Sequence, residues 1–455
     1  MDVKNRAIFI SFDGVAVSGI TVEAAKLASC LNQRGFESFI DLGFDIKIDK
    51  GNFGRPYTQK EKSAFGQIFT VVRATGEGEL PGYTPYFIED VNNLLINGSL
   101  PSSEAQKAQK LADVHAVADV LSERIVETWR ELGITHVVVE NGTLPENIVY
   151  THALYKAIAA YGEEKDLGCF VLWRDHDLMW NSETACGKYG GEPWPYAVKP
   201  MPTKYINYVT LNDALASKLS EWSGVNIDVM RNCYCFEGDK KRKSLRPEFG
   251  ISENDILIAR TTRIVPVKRL ERDIYLTKKL NELCVKNNKE PCVYLIIAGG
   301  EQEDARYFTY LKDYVSELGM ERFVHFIGAL QHDFIDESGD AYTVQDLYES
   351  CDIVSFLTSY DYDSYGNPIG EAISHQRCYI ATRYEYYDEV YGQYGFQTEL
   401  MTISADQDGW PDDDFVQRVY GLVADKSKRE FIAKHNFHIG EKLISNKIFG
   451  HVFNV

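Results

Sequence analysis

The order of apolar runs and helical patterns predicts an α/β chain built from two doubly wound domains, each a parallel sheet wrapped by helices. Short β-rich runs alternate with amphipathic stretches from the first residues onward, which is the rhythm of strand–helix–strand units. That rhythm breaks near residue 240, at Lys240-Lys-Arg-Lys-Ser-Leu-Arg246-Pro247, and then restarts, so the boundary is placed between domains 1–235 and 236–455. A length of 455 residues with 44% apolar side chains suits two full-sized cores.

In the first domain, strands are expected at 7–12, 136–140, 169–173 and 208–211, with helices at 22–34, ending at Gly35, and at 145–159. Ser103 is placed to cap a long helix running to Leu132, because Leu111, Val114, Val117, Ala118, Leu121, Ile125 and Trp129 recur at helical spacing. Residues 45–102, rich in Gly, Pro, Tyr and Asn, lack a clean period. They are expected to form an insertion over one face of the first sheet, either selecting a substrate or merely running over the surface.

The second domain reads as strands at 256–260, 294–298, 324–327, 353–357 and 378–382 and helices at 305–318, 344–349 and 370–374. The two domains are expected to face a cleft. The basic run 240–247 reads as a solvated linker, and the acidic clusters 301–304 and 412–414 as solvated loops. The aromatic run Tyr384 to Tyr391 reads as packing or an interface, and the segment from His435 through Phe453 as a last helix.

A balance of 48 basic against 67 acidic residues, net −19, argues against a general nucleic-acid binder or a protein drawn to anionic membranes. The apolar run before Asp13 is too short for a signal peptide and no later run approaches membrane-spanning length, so cytoplasmic residence is expected. Nine cysteines form no disulfide framework, and Cys233-Tyr-Cys235 lacks the two-residue gap of zinc or redox pairs; buried thiols are expected. Asn97-Gly-Ser and Asn141-Gly-Thr read as loop turns.

The chemistry concentrates in Asp363-Ser-Tyr-Gly-Asn-Pro-Ile-Gly-Glu371. Gly366 permits an unusual turn, and Asn367-Pro368 can start a helix, since proline suits the first helical position. The helix amides then offer a site for phosphate, while Glu371 in the first turn would repel one unless it faced a neutral ribose. Arg260-Thr-Thr-Arg263-Ile-Val-Pro-Val-Lys268 brings an arginine fork and a mobile lysine to the end of a strand, enough to neutralise a departing diphosphate without a metal. Ile296-Ile-Ala-Gly299-Gly300 ends a further strand in two glycines. In the first domain, Arg174-Asp175-His176-Asp177 gathers polar groups after an apolar strand, and Glu140-Asn141 closes another. His435 and His438 share a helix face but have no third ligand, so no metal is expected.

Together these segments resemble family-4 glycosyltransferases, retaining enzymes of the GT-B architecture that move a sugar from a nucleotide donor. Asp363 to Glu371 looks like that family's E-x7-E motif, Arg263 and Lys268 like its diphosphate-binding pair, and Leu295 to Gly300 with Phe326-Ile-Gly328 like its two following strands. The resemblance implies transfer of a hexose from a UDP- or GDP-sugar to a soluble acceptor hydroxyl by front-side attack, without cofactor. It implies Arg263, Lys268, His176 and Asp363 as catalytic residues, and Gly19, Arg263, Lys268, Gly299, Gly366, Asn367, Pro368 and Glu371 as donor contacts. His176 would meet the donor sugar from the acceptor side.

Asn141, Asp177 and Trp180, with Pro193-Trp194-Pro195, resemble a bacterial branch with small or soluble acceptors. The last helix, about 436–455, would cross back to the first domain. Two departures stand out: Asp363 replaces the motif's first glutamate, and Ser18-Gly19 stands where the family has Gly-Gly. A sugar-nucleotide-binding protein without catalysis and a GT-B sugar-nucleotide epimerase are the alternatives. A pyridoxal phosphate-dependent phosphorylase would leave Glu371 without a role.

Overall fold

The structure, a computed structural model, describes all residues except 1–4, 12–18, 42–66, 75–79, 81, 181–188, 190–193, 237–241, 288–291, 302–303, 334–340 and 455. Ser18, Pro193 and Lys240 therefore lie outside the described residues. The chain divides into two compact units, Met1–Arg231 with Phe449–Val455, and Asn232–Ile448.

The first unit holds a parallel sheet of β1 (Arg6–Ser11), β2 (Glu37–Asp41), β3 (Thr70–Val72), β4 (His136–Glu140), β5 (Val171–Asp175), β6 (Ile206–Thr210) and β7 (Asp228–Val229), in the order β3-β2-β1-β4-β5-β6-β7. Ala7 to Ile10 of β1 and Val137 and Val138 of β4 are wholly buried. Central parallel strands covered on both faces read as continuous apolar runs, which is why they were legible. β5 reaches two residues beyond the expected strand because Arg174 and Asp175 find buried partners in Glu140 and Thr143.

Ser103 caps the helix Glu104–Leu132 through a reciprocal capping box with Gln106, and Gly133 ends it in the left-handed conformation. Val114, Ala118, Leu121, Ile125 and Trp129 form its buried stripe. The helix expected at 145–159 is a 3-10 turn, Pro145–Asn147, followed by Ile148–Glu164, with the Asn147 side chain accepting from Tyr150 N at 3.1 Å. Of the expected 45–102 insertion, residues 45–66, 75–79 and 81 lie outside the described residues, and the described part is not simply an excursion over one face. β3 joins the sheet edge beside β2, and Pro85–Val91 is a helix continued by the π-helical stretch Asn92–Ile96. A three-residue edge strand is too short to show a period.

The second unit repeats the winding with β8 (Ile256–Thr261), β9 (Val293–Ala298), β10 (Val324–Phe326), β11 (Ile353–Phe356), β12 (Cys378–Thr382) and β13 (Glu399–Met401), all parallel, in the order β10-β9-β8-β11-β12-β13. Its core gathers Ile258, Leu295, Ile297 and Ile380 from the sheet and Leu270, Ile274, Leu311 and Val419 from the helices. In both sheets the strand order reverses beside the first strand, between β1 and β4 and between β8 and β11. Ligands of open α/β sheets bind beyond the strand carboxyl ends at such switch points.

One surface reading, that of the basic run as a solvated linker, is overturned by buried partners. Arg246, in the basic run, is buried and donates to the Ser350 and Ser252 carbonyls at 2.8 and 2.9 Å and to the Asp352 carboxylate, while Arg242 pairs with Asp333 at 2.7 Å. In the acidic clusters Asp412, Asp413 and Asp414 are exposed, in keeping with the solvated reading, and Asp412 and Asp304 also serve as helix N-caps, accepting from Phe415 N at 2.7 Å and Tyr307 N at 2.9 Å. The aromatic run packs as expected, with Tyr384, Tyr386, Tyr387 and Tyr391 in the core.

The chain closes with the helix Lys426–Leu443 and a 3-10 stretch Asn446–Asn454. The expected single helix breaks because the backbone at 444–446 bonds to Tyr234 on both sides at 2.8 Å instead. Among the described cysteines Cys233, Cys284, Cys351 and Cys378 are buried, whereas Cys169 and Cys235 are exposed. No helix among the described residues is long and apolar enough to cross a membrane.

Candidate functional site

The loops after β8 and β11 meet at the switch point of the second sheet. After β8 the chain turns through the 3-10 segment Pro266–Lys268, and Arg269 takes a left-handed φ of 54° to start the helix Leu270–Lys286. Arg260, wholly buried, fastens this turn by donating to the Ser355 carbonyl at 3.0 Å and the Lys268 carbonyl at 2.9 Å. Asp273 lies 3.5 Å from the Arg260 guanidinium. Burial raises the Asp273 pKa, and the Arg260 charge opposes that rise.

Lys268 Nζ donates to both Asp363 oxygens at 2.7 and 2.9 Å, and the Thr358 hydroxyl donates to Oδ2 at 2.8 Å. Burial lowers the Lys268 pKa, with Asp363 opposing. Burial also works to raise Asp363, but the Lys268 ammonium outweighs it and holds the carboxyl below its ordinary range. Arg263 is exposed, and its guanidinium donates to the Tyr362 hydroxyl. Tyr362 also places its ring 4.7 Å from Lys268 Nζ. The structure thus brings Arg263, Lys268 and Asp363 together, with Asp363 held on Lys268. Gly299, after β9, packs against the Thr262 carbonyl so closely that a Cβ would collide with it.

Gly366 is the N-cap of the helix Asn367–Ser374 and sits at φ 81°, where an L side chain is strained. A Cβ there would lie 2.8 Å from the Tyr384 hydroxyl. Tyr384 donates to the Tyr365 carbonyl at 2.6 Å and Tyr391 to the Gly366 carbonyl at 3.1 Å, so the buried tyrosines hold this turn from behind. The Asn367 side-chain oxygen accepts from Asn232 and Tyr234 at 2.9 and 2.8 Å, and Pro368 occupies the first turn. Glu371 is buried, and its Oε2 accepts from the Tyr348 hydroxyl at 2.7 Å. His332 Nε2 stands 3.8 Å from its Oε1. Helix amides without intrahelical partners carry positive potential at this end.

In the first unit, Gly19 opens the helix Gly19–Asn32 and is exposed. Glu140, at the end of β4, accepts from Arg174 at 3.2 Å and meets His176 Nε2 at 2.7 Å, all three buried. Asn141 takes a left-handed φ of 57°, which asparagine tolerates. Its side-chain oxygen accepts the backbone amides of His176 at 2.6 Å and Asp177 at 3.1 Å. Asp175 accepts from the Thr143 amide at 3.1 Å and hydroxyl at 2.6 Å, and burial pushes its pKa up to about 7 against those bonds. Asn141, His176 and Asp177 therefore form one cluster. Trp180 instead packs edge-on against Trp194 and Trp222, at 5.3 and 5.4 Å between ring centroids.

No protein-family model matches the sequence. No curated protein matches it in sequence either. Solved structures do match in fold. HepE of Anabaena, in complex with UDP-glucose, aligns at TM-score 0.58 and 14% identity over 98% of this chain and 97% of its own. Sucrose-phosphate synthase of Thermosynechococcus elongatus aligns at 0.57 and 10% identity over 99% and 98%. A UDP-forming trehalose-phosphate synthase of Burkholderia xenovorans aligns at 0.57 and 11% over 99% and 98%. The chain has the GT-B fold.

In this GT-B chain the residues that sequence reasoning missed are supporting ones: Arg260 and Asp273 behind Lys268, Tyr384 and Tyr391 behind Gly366, and Tyr348, His332 and Gln345 around Glu371. Arg260 left one trace, a charge at the end of an otherwise apolar strand. The others are separated from their partners by spacings that carry no local signal. Among the described residues no group of His, Cys, Asp or Glu is arranged to hold a metal ion.

Proposed function

We propose that the chain is a sugar-nucleotide-dependent glycosyltransferase that moves a hexose from a UDP- or GDP-sugar to a soluble acceptor hydroxyl with retention. The observation that carries this reading is the grouping of Lys268, Asp363, the Gly366-capped helix start and Glu371 at the switch point of the second sheet. The amides after Gly366, with Arg263 and Lys268, take the diphosphate, and Glu371 takes ribose hydroxyls. Asp363 keeps Lys268 charged and aimed. The first-unit cluster of Asn141, His176 and Asp177 is assigned to the acceptor side. The His176 edge bearing Nε2 lies on Glu140, so its contact to a sugar comes from the other edge of the ring.

In the front-side step, the acceptor oxygen bonds to the anomeric carbon on the face from which the diphosphate leaves. The bond between that carbon and the phosphate oxygen breaks, the electron pair goes to the diphosphate, and a leaving phosphate oxygen receives the acceptor's proton. The protein's contribution is electrostatic, through cations and amides placed where charge develops on the diphosphate. The test is nucleoside diphosphate release from UDP- and GDP-sugars across an acceptor panel. Lys268→Ala is expected to lower turnover by roughly a hundredfold or more. Full turnover in Lys268→Ala would overturn the assignment, and donor binding with no release for any acceptor would favour a binding protein.

A further inference from the structure

We infer that the second unit carries an anion site on its last long helix, where His435, His438 and Lys442 hold the phosphate of a small, soluble phosphomonoester. The site is separate from the donor site, and the inference does not rest on the donor reading.

A cleft of about 350 Å3 lies between the helix Lys426–Leu443 and the turn Gly392–Tyr394, lined by Tyr394, His435, His438, Ile439, Lys442 and Leu443. Its charged groups come from one stripe. Residues 435, 438 and 442 recur at helical spacing, so their side chains rise from one face with neighbouring Cβ atoms about 5–6 Å apart. Phe431, one turn earlier, extends the stripe and stacks on His435 with 6.5 Å between ring centroids. The opposite side of the helix, with Ile432, Ala433, Asn436 and Gly440, is buried. Gly440 lies so near Ile373 that a Cβ would come within 2.5 Å of its side chain, which seats this helix against Asn367–Ser374. The cleft therefore opens on the face of the helix turned away from the donor-binding turn.

The second wall is fixed to the helix. Asn436, buried, accepts from the Gln397 amide at 2.8 Å and donates to the Gln397 carbonyl at 2.7 Å. His435 Nε2 bonds to the Gly395 carbonyl at 3.0 Å. A carbonyl only accepts, so this nitrogen carries a proton.

Charge selects the occupant. The chain has a net charge of −19, yet no acidic side chain lines this cleft. Lys428 and Arg429 of the same helix are paired, with Glu399 at 3.0 Å and with the Leu422 and Val423 carbonyls, whereas Lys442 and His438 are exposed at the cleft. The helix dipole puts only about half a negative charge at this end, and the Lys442 ammonium alone outweighs it. A phosphomonoester has three terminal oxygens, enough to meet that ammonium and an N–H from each imidazole at once, where a carboxylate has two. Ile439, Leu443 and the Tyr394 ring give the ester's organic part a surface to lie on, in a volume ordinary for a small-molecule site. An anionic bilayer fits less well, because Glu430 and Glu441 are exposed beside the stripe and the chain as a whole is acidic.

The test is calorimetric titration of the full-length protein with glycerol 3-phosphate, with glycerol as the neutral control. The wild-type protein is expected to bind the ester saturably and glycerol not at all. Lys442→Ala and His438→Ala remove exposed side chains, so both are expected to fold with unchanged Tm and to bind the ester about tenfold or more weakly. Lys268→Ala, which alters the other phosphate site proposed above, is expected to leave this affinity unchanged. No saturable binding by wild type, wild-type affinity in both helix variants, or loss of binding in Lys268→Ala would overturn the inference. Sedimentation with phosphatidic acid vesicles that depends on Lys442, without binding of the soluble ester, would overturn it in favour of a lipid headgroup. None of these results depends on nucleotide binding, so the donor reading is tested separately.

Discussion

Removing the Asp363 charge should expose how strongly the Lys268 ammonium depends on it. In Asp363→Asn the lysine keeps its buried position but loses the carboxylate that accepted it at 2.7 and 2.9 Å, and an amide can offer at most one oxygen. Side-chain exposures of 9% for Lys268 and 18% for Asp363 mean that water can replace little of what is lost. Breaking a buried pair from one side costs about 3–5 kcal/mol. The loss has a ceiling, because the lysine can shed its proton. For an ordinary pKa of about 10.4, deprotonation at pH 7 costs roughly 4–5 kcal/mol.

The two routes agree, so Asp363→Asn is expected to destabilise the second unit by about 3–4 kcal/mol near pH 7 and less at pH 9 and above. Urea unfolding monitored across that pH range is the assay, with Lys268→Met and the double variant completing a cycle. The double variant is expected to recover at least about 2 kcal/mol relative to the sum of the single changes. Additive single effects, or a loss below about 1 kcal/mol for Asp363→Asn, would refute the coupling.

The remaining expectations concern the pH response and the glycine turn. Asp175 has its pKa raised to about 7 by burial, so the stability it contributes is fully present below the unfolded value near 4 and lost as pH rises through about 7. Thermal melts between pH 5 and 8 should therefore fall by the equivalent of a few kcal/mol more in wild type than in Asp175→Asn; parallel profiles would contradict this. Tyr384→Phe and Tyr391→Phe each remove a hydroxyl that bonds to the Gly366 turn, and each is expected to cost about 1–2 kcal/mol and to weaken donor binding severalfold with acceptor KM unchanged. Unchanged donor affinity in both variants would detach the tyrosines from the site.

Much of the fold was legible because parallel strands buried on both faces leave apolar runs that helices interrupt at their own period. The cap at Ser103 was legible because a capping box is local in sequence. The capping role of Asp412 and Asp304 was not legible for the complementary reason: an acidic residue before a helix is a plain loop residue or a cap depending on whether the following segment packs as a helix, as Asp413–Ala424 and Ala305–Glu317 do. Arg246 was misread as solvated because its partners, Ser350 and Asp352, lie far along the chain. The same holds in the site. Lys268, Asp363 and Glu371 declared themselves by type and spacing. The Arg260–Lys268 fastening, the Tyr348–Glu371 bond and the His332–Gln345 contact join residues through the fold of the second sheet and its loops.

The central claim is that the second unit binds a sugar nucleotide through Lys268 and Glu371. Thermal melting of the full-length protein with UDP-, GDP- and ADP-sugars tests it most directly, since a donor at about a hundred times its Kd stabilises by roughly 2.7 kcal/mol. The account predicts a rise in Tm for a UDP- or GDP-sugar that is lost in Lys268→Ala and Glu371→Ala. No rise with any donor, or the same rise in both variants, would contradict it.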